Sequence, residues 1–204
     1  MLKSKISKTF KGKKVLITGH TGFKGAWLTL LMLVLGAKVL GVSYGKRTKP
    51  SLFKVLNLEK KIIHKNLDIG NLDKLKKIIN SFQPNFIFHL AAEAIVSRAY
   101  LDPYKTWRTN TIGTINILQI LKSIKFNVVT IFITSDKVYK NLEINRGYHE
   151  NDRLGDTDPY SASKSSADIA IQSYFHSFLK KKKKYKNINS KSRKCDWRRR
   201  LVRR

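Results

Sequence analysis

Two residues in the last third of the sequence can together move a proton to or from an alcohol. Tyr160 and Lys164 lie four residues apart in "YSASK", at the start of an expected helix, so their side chains share one helix face. A tyrosine has a pKa of about 10, and a neighbouring ammonium lowers that pKa because it favours the phenolate. Such a pair can take the proton from an alcohol while a hydride acceptor takes the second hydrogen. We therefore predict that Tyr160 and Lys164 are catalytic.

A second group of reactive side chains, "TSDK", follows an expected strand earlier in the chain. The hydroxyl of Ser135 can hydrogen-bond the same substrate alcohol as Tyr160. Asp136 and Lys137 put a carboxyl group beside an amine, and such a pair can protonate a leaving hydroxyl and remove a proton next to a ketone. We predict that all three are catalytic. A solvent-exposed ion pair on a loop is the alternative that the residues leave open for Asp136 and Lys137.

Three glycines with the spacing G-x-x-G-x-x-G follow the first expected strand, in "TGHTGFKG". Gly19 permits a tight turn from strand to helix, Gly22 lets the backbone approach a pyrophosphate, and Gly25 lets the helix pack closely on the sheet. The N–H groups that open the following helix attract phosphates. We predict a dinucleotide site here, with these loop residues in it: Gly19, Thr21, Gly22, Phe23, Lys24 and Gly25.

Charge near the second strand leaves NAD and NADP both open. A carboxylate at the end of that strand would bind the ribose 2′-hydroxyl and select NAD, but "GVSYGKRTKP" contains no acid and places Lys46 and Arg47 there. Asp68, in "NLDI" after the third strand, is a candidate for the adenine region, and a cap for the next turn is the alternative. The remaining residues predicted at the cofactor are Ile69, Leu90, Ala91, Ala92, Thr109, Tyr160 and Lys164.

The elements that must position these residues alternate regularly between strand and helix. Expected strands are "KKVLITG", "AKVLGVSY", "KKIIHKNLDI", "NFIFHLAA" and "NVVTIFITS". Expected helices are "FKGAWLTLLMLVLGA", "NLDKLKKIINSFQ", residues 103–124 and "SASKSSADIAIQSYFHSFL". The alternation predicts an α/β fold, a Rossmann-like doubly wound parallel sheet with helices on both faces, which binds ligands beyond the carboxyl ends of its strands. The predicted dinucleotide-binding domain comprises residues 1–179.

The net positive charge of the chain indicates an alternative function of a different class, that of a basic nucleic-acid-binding protein on a Rossmann scaffold. The 204 residues carry a net charge of +29, and residues 180–204 contribute fourteen Lys or Arg against one Asp. Such a basic tail is typical of segments that bind phosphate backbones. In the rest of the chain the lysines are scattered, whereas a nucleic-acid surface gathers its charges on one face. We therefore predict no nucleic-acid partner.

Cysteine content and hydropathy indicate in which part of the cell the protein is expected. The single cysteine, Cys195, excludes an internal disulfide and a Cys-based zinc site, and we predict no metal. The basic start "MLKSKISKTFKGKK" leads into "VLITGHTGF", whose polar residues interrupt any signal-peptide core. The longest apolar run, "AWLTLLMLVLG", is far shorter than the roughly 18 residues that cross a bilayer. The sequence predicts a soluble, cytoplasmic protein with no membrane partner.

These motifs together resemble the extended short-chain dehydrogenase/reductase family, and within it the CDP-glucose 4,6-dehydratases. The resemblance covers roughly residues 12–179, in "GKKVLITGHTGFKGAWL", "TKPSLF", "FQPNFIFHLAAEAIV", "TNTIGT", "TSDKVY" and "GYHENDRLGDTDPYSASKSSAD". The dTDP-glucose dehydratases carry Asp-Glu where this chain has Asp136 and Lys137, and UDP-galactose epimerases lack the pair. The chain departs from the family at Glu93 and Ala94, which replace Gln-Pro, and at Val138, which replaces Cys.

The resemblance implies an NAD-dependent lyase that converts CDP-glucose to CDP-4-keto-6-deoxyglucose, a step in making deoxysugars such as those of O-antigens. It implies that Tyr160, with Lys164 and Ser135, oxidises C4, and that Asp136 with Lys137 assists loss of water across C5–C6. It further implies NAD over NADP, CDP-glucose as the small-molecule partner, and a homodimer for the full-length family. Another NAD(P)-dependent sugar-nucleotide epimerase or dehydratase is the alternative.

The last residues depart from the family altogether. Family members continue with a strand close to "ARAGNVIGGGDW" and a smaller C-terminal substrate domain, whereas this chain continues as "KSRKCDWRRRLVRR". That segment can be encoded so that the next reading frame gives "RAGNVIGGEDWSE", and the lysines at 180–184 imply an adenine tract where a frame can slip. We therefore expect residues 180–204 to be a disordered, out-of-frame tail, the substrate domain to be missing, and this chain to be an inactive fragment.

Overall fold

A single parallel sheet organises the chain in the computed structural model, which describes residues 2–45 and 50–180. Its strand order is β3-β2-β1-β4-β5. The strands are β1 Lys14–Thr18, β2 Lys38–Ser43, β3 Ile63–Asn66, β4 Phe86–His89 and β5 Val129–Phe132. Because β2 and β4 flank β1 and all neighbours pair in parallel, the sheet is doubly wound around β1, and the predicted α/β fold is confirmed.

The described residues form eight α-helices. In chain order they are α1 Leu2–Phe10, α2 Phe23–Val34, α3 Leu52–Val55, α4 Leu72–Phe82, α5 Val96–Leu101, α6 Pro103–Trp107, α7 Gly113–Ser123 and α8 Pro159–Tyr174. The sequence predicts one long helix over residues 103–124, and the chain is helical over residues 103–123, with a π-helical turn, Arg108–Ile112, between the α-helical segments α6 and α7. A second π-helical turn, Phe175–Leu179, follows α8.

Alternate residues of the strands face two different helix layers. Leu16 and Ile87 pack with residues of α4, α7 and α8, whereas Val15, Ile17 and Phe88 pack with residues of α1 and α2. Strands that are covered on both faces must be apolar at consecutive positions, which explains the unbroken apolar runs of the sequence. The described helices therefore lie on both faces of the sheet, as predicted.

The first helix, α1, is an element that the sequence analysis does not predict. Its last residue, Phe10, places its ring 4.8 Å from the ring of Phe86 and 6.3 Å from that of Phe88. The helix thus covers β4 on the α2 side of the sheet. None of the helices in the described part of the chain combines the length and apolar character that a membrane span requires.

Two sequence predictions fall on residues that the structure does not describe. The cofactor preference argued from Lys46 and Arg47 is one, since residues 46–49 lie outside the described ranges. The prediction for the basic tail is the other, because residues 181–204 also lie outside them.

Candidate active site

The glycine loop connects β1 to α2 and is wedged between backbone segments. Gly19 has a φ of +77°, and its N–H donates to the carbonyl of Val42 at 2.7 Å. A Cβ at Gly19 would lie 2.7 Å from the backbone nitrogen of Ala91. A Cβ at Gly25 would collide with the carbonyl oxygen of Gly19. Side chains larger than hydrogen are therefore excluded at both glycines, by sterics at Gly25 and also by the left-handed backbone at Gly19.

The start of α2 is open toward the carboxyl edge of the sheet. Gly22 is the N-cap of this helix, no side chain caps it, and a Cβ there would approach only the carbonyl of Gly19, at 3.4 Å. Thr21 donates its N–H to Ser43 Oγ at 3.3 Å, which ties the loop to β2. Phe23 and Lys24 follow as exposed residues. An uncapped helix N-terminus offers free N–H groups and positive potential, so the loop fits a pyrophosphate.

A buried histidine that was not predicted from the sequence, His20, packs within the glycine loop. His20 lies 2.7 Å from His64, measured from Nε2 to Nδ1, and its Nδ1 lies 3.0 Å from Ser43 Oγ. Burial, and then the charge of His64, lower the pKa of His20 to about 4. Phe53 of the "PSLF" motif packs edge-on against His20, with centroids 5.0 Å apart. These residues come from four different elements, so no spacing in the sequence connects them.

Asp68 is engaged with the protein itself. Its Oδ1 accepts the N–H of Gly70 at 2.8 Å, and its Oδ2 lies 3.1 Å from Arg108 Nη2. The alternative role considered for Asp68, a cap for the following turn, is thus present in the structure. Ile69 is buried, and its carbonyl accepts a hydrogen bond from Asn116 at 2.9 Å.

The segment after β4 is held against β1. The N–H of Leu90 donates to the carbonyl of Thr18 at 3.1 Å, and the N–H of Ala91 donates to Thr18 Oγ1 at 3.2 Å. His89 lies between two threonines, with Nδ1 2.8 Å from Thr18 Oγ1 and Nε2 3.1 Å from Thr114 Oγ1. Burial, and then the charge of Lys164, lower the pKa of His89 to about 3.

Asn110, in the π-helical turn, is a second buried residue that the sequence analysis does not identify. Its Oδ1 accepts the N–H of Glu93 at 2.8 Å, and its Nδ2 lies 3.1 Å from the carbonyl of Glu93 and 2.9 Å from Ser163 Oγ. Asn110 therefore joins the loop after β4 to α8. Asn110 belongs to "TNTIGT", one of the motifs that carry the family resemblance, and that motif is the signal in the sequence that points to it. Thr109, predicted at the cofactor, precedes it and is half-buried.

Ser135 and Tyr160 come together at the carboxyl end of β5. Ser135 Oγ donates to Asp136 Oδ1 at 3.1 Å and accepts the N–H of Lys137 at 3.2 Å, so the three residues form one compact turn. Asp158 caps α8 by accepting the N–H of Tyr160 at 3.0 Å. That cap places the phenol in the first turn of α8, with Ser135 as its hydrogen-bonding neighbour.

The acidity of Tyr160 differs from the sequence prediction. Burial raises the pKa of its phenol above the ordinary value, Ser135 opposes this shift, and the carboxylates of Asp136 and Asp158 reinforce it. The expectation that Lys164 lowers this pKa is wrong: Lys164 is not among the groups that shift it, and its buried amine donates to the carbonyl of Ile133, just after β5, at 3.2 Å.

Lys164 itself is buried, and its amine is correspondingly less basic. Burial lowers its pKa to about 8, with Asp168 raising the pKa and Lys24 lowering it further. The influence of Lys24 indicates that the start of α2 is near enough to act on this amine, and the Lys164 amine itself contacts the carbonyl of Ile133, just after β5. The structure therefore brings two parts of the predicted site, the nucleotide loop and the YxxxK pair, to the same edge of the sheet.

A cavity of about 380 Å³ lies nearby, between the loop after β2 and the α5–α6 segment. Tyr44, Glu93, Arg98 and Lys105 are among its lining residues, and none of the predicted site residues lines it. Lys105 Nζ lies 3.7 Å from the Glu93 carboxylate on its wall. The cavity wall thus carries charges of both signs.

Comparison with known proteins finds similarity over most of the chain. Residues 16–194 match the family described as GDP-mannose 4,6 dehydratase. The chain is 40% identical over 175 residues to the CDP-glucose 4,6-dehydratase of Salmonella typhimurium, and the match covers 85% of this chain and 49% of that protein. The chain thus spans about half the length of this relative.

Solved structures share the fold at lower identity. One is DesIV, a dTDP-glucose 4,6-dehydratase from Streptomyces venezuelae determined with NAD and TYD bound, with a TM-score of 0.68 and 23% identity over 80% of this chain and 52% of that one. Another is the UDP-glucose 4-epimerase of Thermus thermophilus in complex with NAD, with a TM-score of 0.69 and 23% identity over 81% and 51% of the two chains.

Proposed function

The chain belongs to the GDP-mannose 4,6 dehydratase family, and on this premise we propose that it is the NAD-binding part of a sugar-nucleotide 4,6-dehydratase for CDP-glucose. The observation that carries the proposal is the turn at the end of β5. There, Ser135 acts on the phenol of Tyr160, whose pKa it lowers, and donates to the carboxylate of Asp136 at 3.1 Å. This arrangement supports an alcohol-oxidising pair beside an acid/base pair. The 40% identity to a CDP-glucose 4,6-dehydratase supports CDP-glucose as substrate.

NAD is the proposed cofactor, and the glycine loop would hold its pyrophosphate at the start of α2. The fit rests on the open N-cap at Gly22 and on the close backbone packing at Gly19 and Gly25. Leu90, Ala91 and the segment around Asp68 and Thr109 would complete the site, as the sequence analysis proposes. When bound, NAD would accept a hydride from the sugar and return it later in the cycle.

Tyr160 and Ser135 would hold the C4 hydroxyl of the sugar and remove its proton. The raised pKa of Tyr160 means that the resting phenol is protonated, so it can take a proton only as it gives up its own. Ser135 offers a route, because it acts on the phenol and donates to Asp136 Oδ1 at 3.1 Å. As the hydride leaves C4, Tyr160 would take the proton of the C4 hydroxyl and pass its own through Ser135 to Asp136. The phenol stays protonated, and Asp136 then holds a proton for the later loss of water.

Asp136 and Lys137 would carry out the loss of water. Oxidation at C4 acidifies the proton at C5, which the amine of Lys137 can accept. Asp136 gives its proton to the C6 hydroxyl, which leaves as water. The proton that Tyr160 takes from the C4 hydroxyl replaces the one it passed to Asp136, so both side chains return to their starting states. As the hydride returns to C6, Lys137 would give its proton back to C5, so the amine also returns to its starting state and the product is CDP-4-keto-6-deoxyglucose.

Three finer points also belong to the proposal. We place the protein in the cytoplasm and in deoxysugar synthesis, including that of O-antigens, and assign the NAD-binding domain to residues 1–179.

We propose a homodimer through the surface of α5, α6 and α8. Exposed Tyr100, Leu101, Tyr104 and Ile169 support this, because aromatic and apolar side chains are enriched at subunit interfaces.

A chimera tests the proposed activity. Residues 1–179 would replace the matching half of the Salmonella typhimurium CDP-glucose 4,6-dehydratase, and mass spectrometry would follow the loss of water from CDP-glucose, dTDP-glucose and GDP-mannose. We expect turnover of CDP-glucose and its abolition in the Tyr160→Phe chimera. Preference for another sugar nucleotide would refute the substrate, and a folded chimera without dehydration would refute the reaction. Titrating NAD and a DNA oligomer into the 204-residue chain at two salt concentrations addresses the nucleic-acid alternative.

A further inference from the structure

The amine of Lys164 is surrounded by ionisable groups from three elements of the fold. Lys24 acts on it from the start of α2, His89 lies at the end of β4, and Asp168 follows on α8 itself. The amine is buried and donates to the carbonyl of Ile133 at 3.2 Å. Burial and Lys24 both favour loss of its proton, and a neutral amine would lose its electrostatic attraction to an oxyanion nearby.

Asp168 is the acid that opposes these effects. It lies one helical turn beyond Lys164 on the same face of α8 and is only 3% exposed. One turn further, Gln172 donates Nε2–H to Asp168 Oδ2 at 2.8 Å. A carboxylate buried to this extent is costly unless charge or hydrogen bonds compensate it. The Gln172 amide supplies a hydrogen bond, and Lys164, one turn away on the same face of α8, supplies the opposite charge.

His89 does not take over this task. Its ring is enclosed by the hydroxyls of Thr18 and Thr114, and its burial keeps the imidazole neutral at physiological pH. The charges that act on the Lys164 amine from the described elements are therefore one ammonium on α2, Lys24, and one carboxylate on α8, Asp168. These two act in opposite directions, so removing either shifts the protonation of Lys164 in a predictable sense.

We propose that Asp168 is a positioning residue whose carboxylate, fixed by Gln172, keeps the Lys164 amine protonated and directed at the end of β5. The role of that ammonium in catalysis rests on the proposed function. The protonation state of Lys164 does not, because it can be measured without substrate or cofactor. Asp168 touches no reacting atom in this account and acts through Lys164.

The decisive experiment is a lysine side-chain NMR titration of the 204-residue chain. The Lys164 signal is assigned by its disappearance in Lys164→Arg, and in the unchanged protein it should titrate near a pKa of about 8. Asp168→Asn keeps the shape and removes the charge, and should lower this pKa by about one unit or more. Asp168→Glu should restore it. Lys24→Met, a matched change of opposite sign, should raise it.

An unchanged Lys164 titration in folded Asp168→Asn would overturn the proposal, as would a shift of equal size in Asp168→Glu. Should Asp168→Asn fail to fold, Gln172→Leu removes the amide that fixes the carboxylate, and a smaller shift in the same direction is expected. No shift in that variant would count against Asp168 equally. The pH dependence of turnover in the chimera is a separate arm, so an inactive chimera refutes the proposed reaction and leaves the NMR result standing.

Discussion

The glycine loop and the Ser135–Tyr160 turn lie at the same edge of the sheet but are held together by different interactions. The loop depends on the absence of side chains, because Gly19 and Gly25 let backbone segments approach closer than any Cβ allows. The turn at β5 and the α8 helix behind it are defined by side-chain hydrogen bonds and by buried charge at Lys164 and Asp168.

If the proposed function holds, this difference separates holding a ligand from doing chemistry on it. A backbone cradle presents N–H groups whose charge does not change with pH, which suits a phosphate that stays bound. Side chains such as Tyr160 and Asp136 gain and lose protons, which suits a reaction with several proton transfers. We expect the loop to respond to added volume and the catalytic turn to respond to altered charge.

The largest effect should come from the catalytic turn, in the chimera carrying Lys137→Met. Methionine keeps the length of the side chain and removes the amine, so proton removal at C5 should slow by about 10²- to 10⁴-fold. Oxidation at C4 depends on Tyr160 and should persist, so mass spectrometry should detect a 4-keto sugar that still carries its C6 oxygen. Lys140→Met is the matched control and should leave the product unchanged. Absence of the 4-keto sugar in Lys137→Met would place Lys137 in the first step.

A single methyl group should break the loop. In Gly25→Ala the new Cβ would collide with the Gly19 carbonyl, and we expect a loss of unfolding free energy of about 3 kcal/mol, together with loss of NAD binding. Gly147→Ala is the control, because a Cβ there meets no atom within 4 Å and should change stability by less than about 0.5 kcal/mol. Urea unfolding and calorimetric titration measure both. Equal stability of the two variants would show that the loop is not rigidly packed.

The same contrast explains which features of these two regions could be predicted from the sequence alone. Glycine spacing encodes the loop locally, and the alternation of apolar runs encodes the parallel sheet, so both could be predicted. Contacts between distant elements could not: His20 meets His64 of β3, and Asn110 of the π-helical turn meets Glu93 in the loop after β4. The raised pKa of Tyr160 was missed for a related reason, since burial is a property of the assembled fold.

Acid should destabilise the glycine loop through His20 and the end of β4 through His89. The folded-state pKa values of His20 and His89 are about 4 and about 3, below the ordinary 6.5. The unfolded chain therefore binds protons as the pH falls below 6.5 while the folded chain does not, so stability present above pH 6.5 is lost toward pH 4. Each histidine should contribute about 1.4 kcal/mol per pH unit to the free energy of unfolding. Urea unfolding at pH 7, 6 and 5 should show a shallower slope in His89→Asn, and an unaltered slope would refute the assignment.

The smallest expected effect concerns Glu93, where the chain departs from the family's Gln. Its backbone N–H and carbonyl carry the contacts to Asn110, at 2.8 and 3.1 Å, and these survive any side-chain replacement. Its carboxylate lies 3.7 Å from Lys105, whose side chain is half exposed, so this ion pair is weakened by solvent. Glu93→Gln should therefore change the free energy of unfolding by less than about 1 kcal/mol. Asn110→Ala, measured beside it by urea unfolding, should cost about 2 to 3 kcal/mol, because it leaves the buried N–H of Glu93 without its acceptor. If Glu93→Gln proved the costlier of the two, the carboxylate and not the asparagine would be what joins this loop to α8.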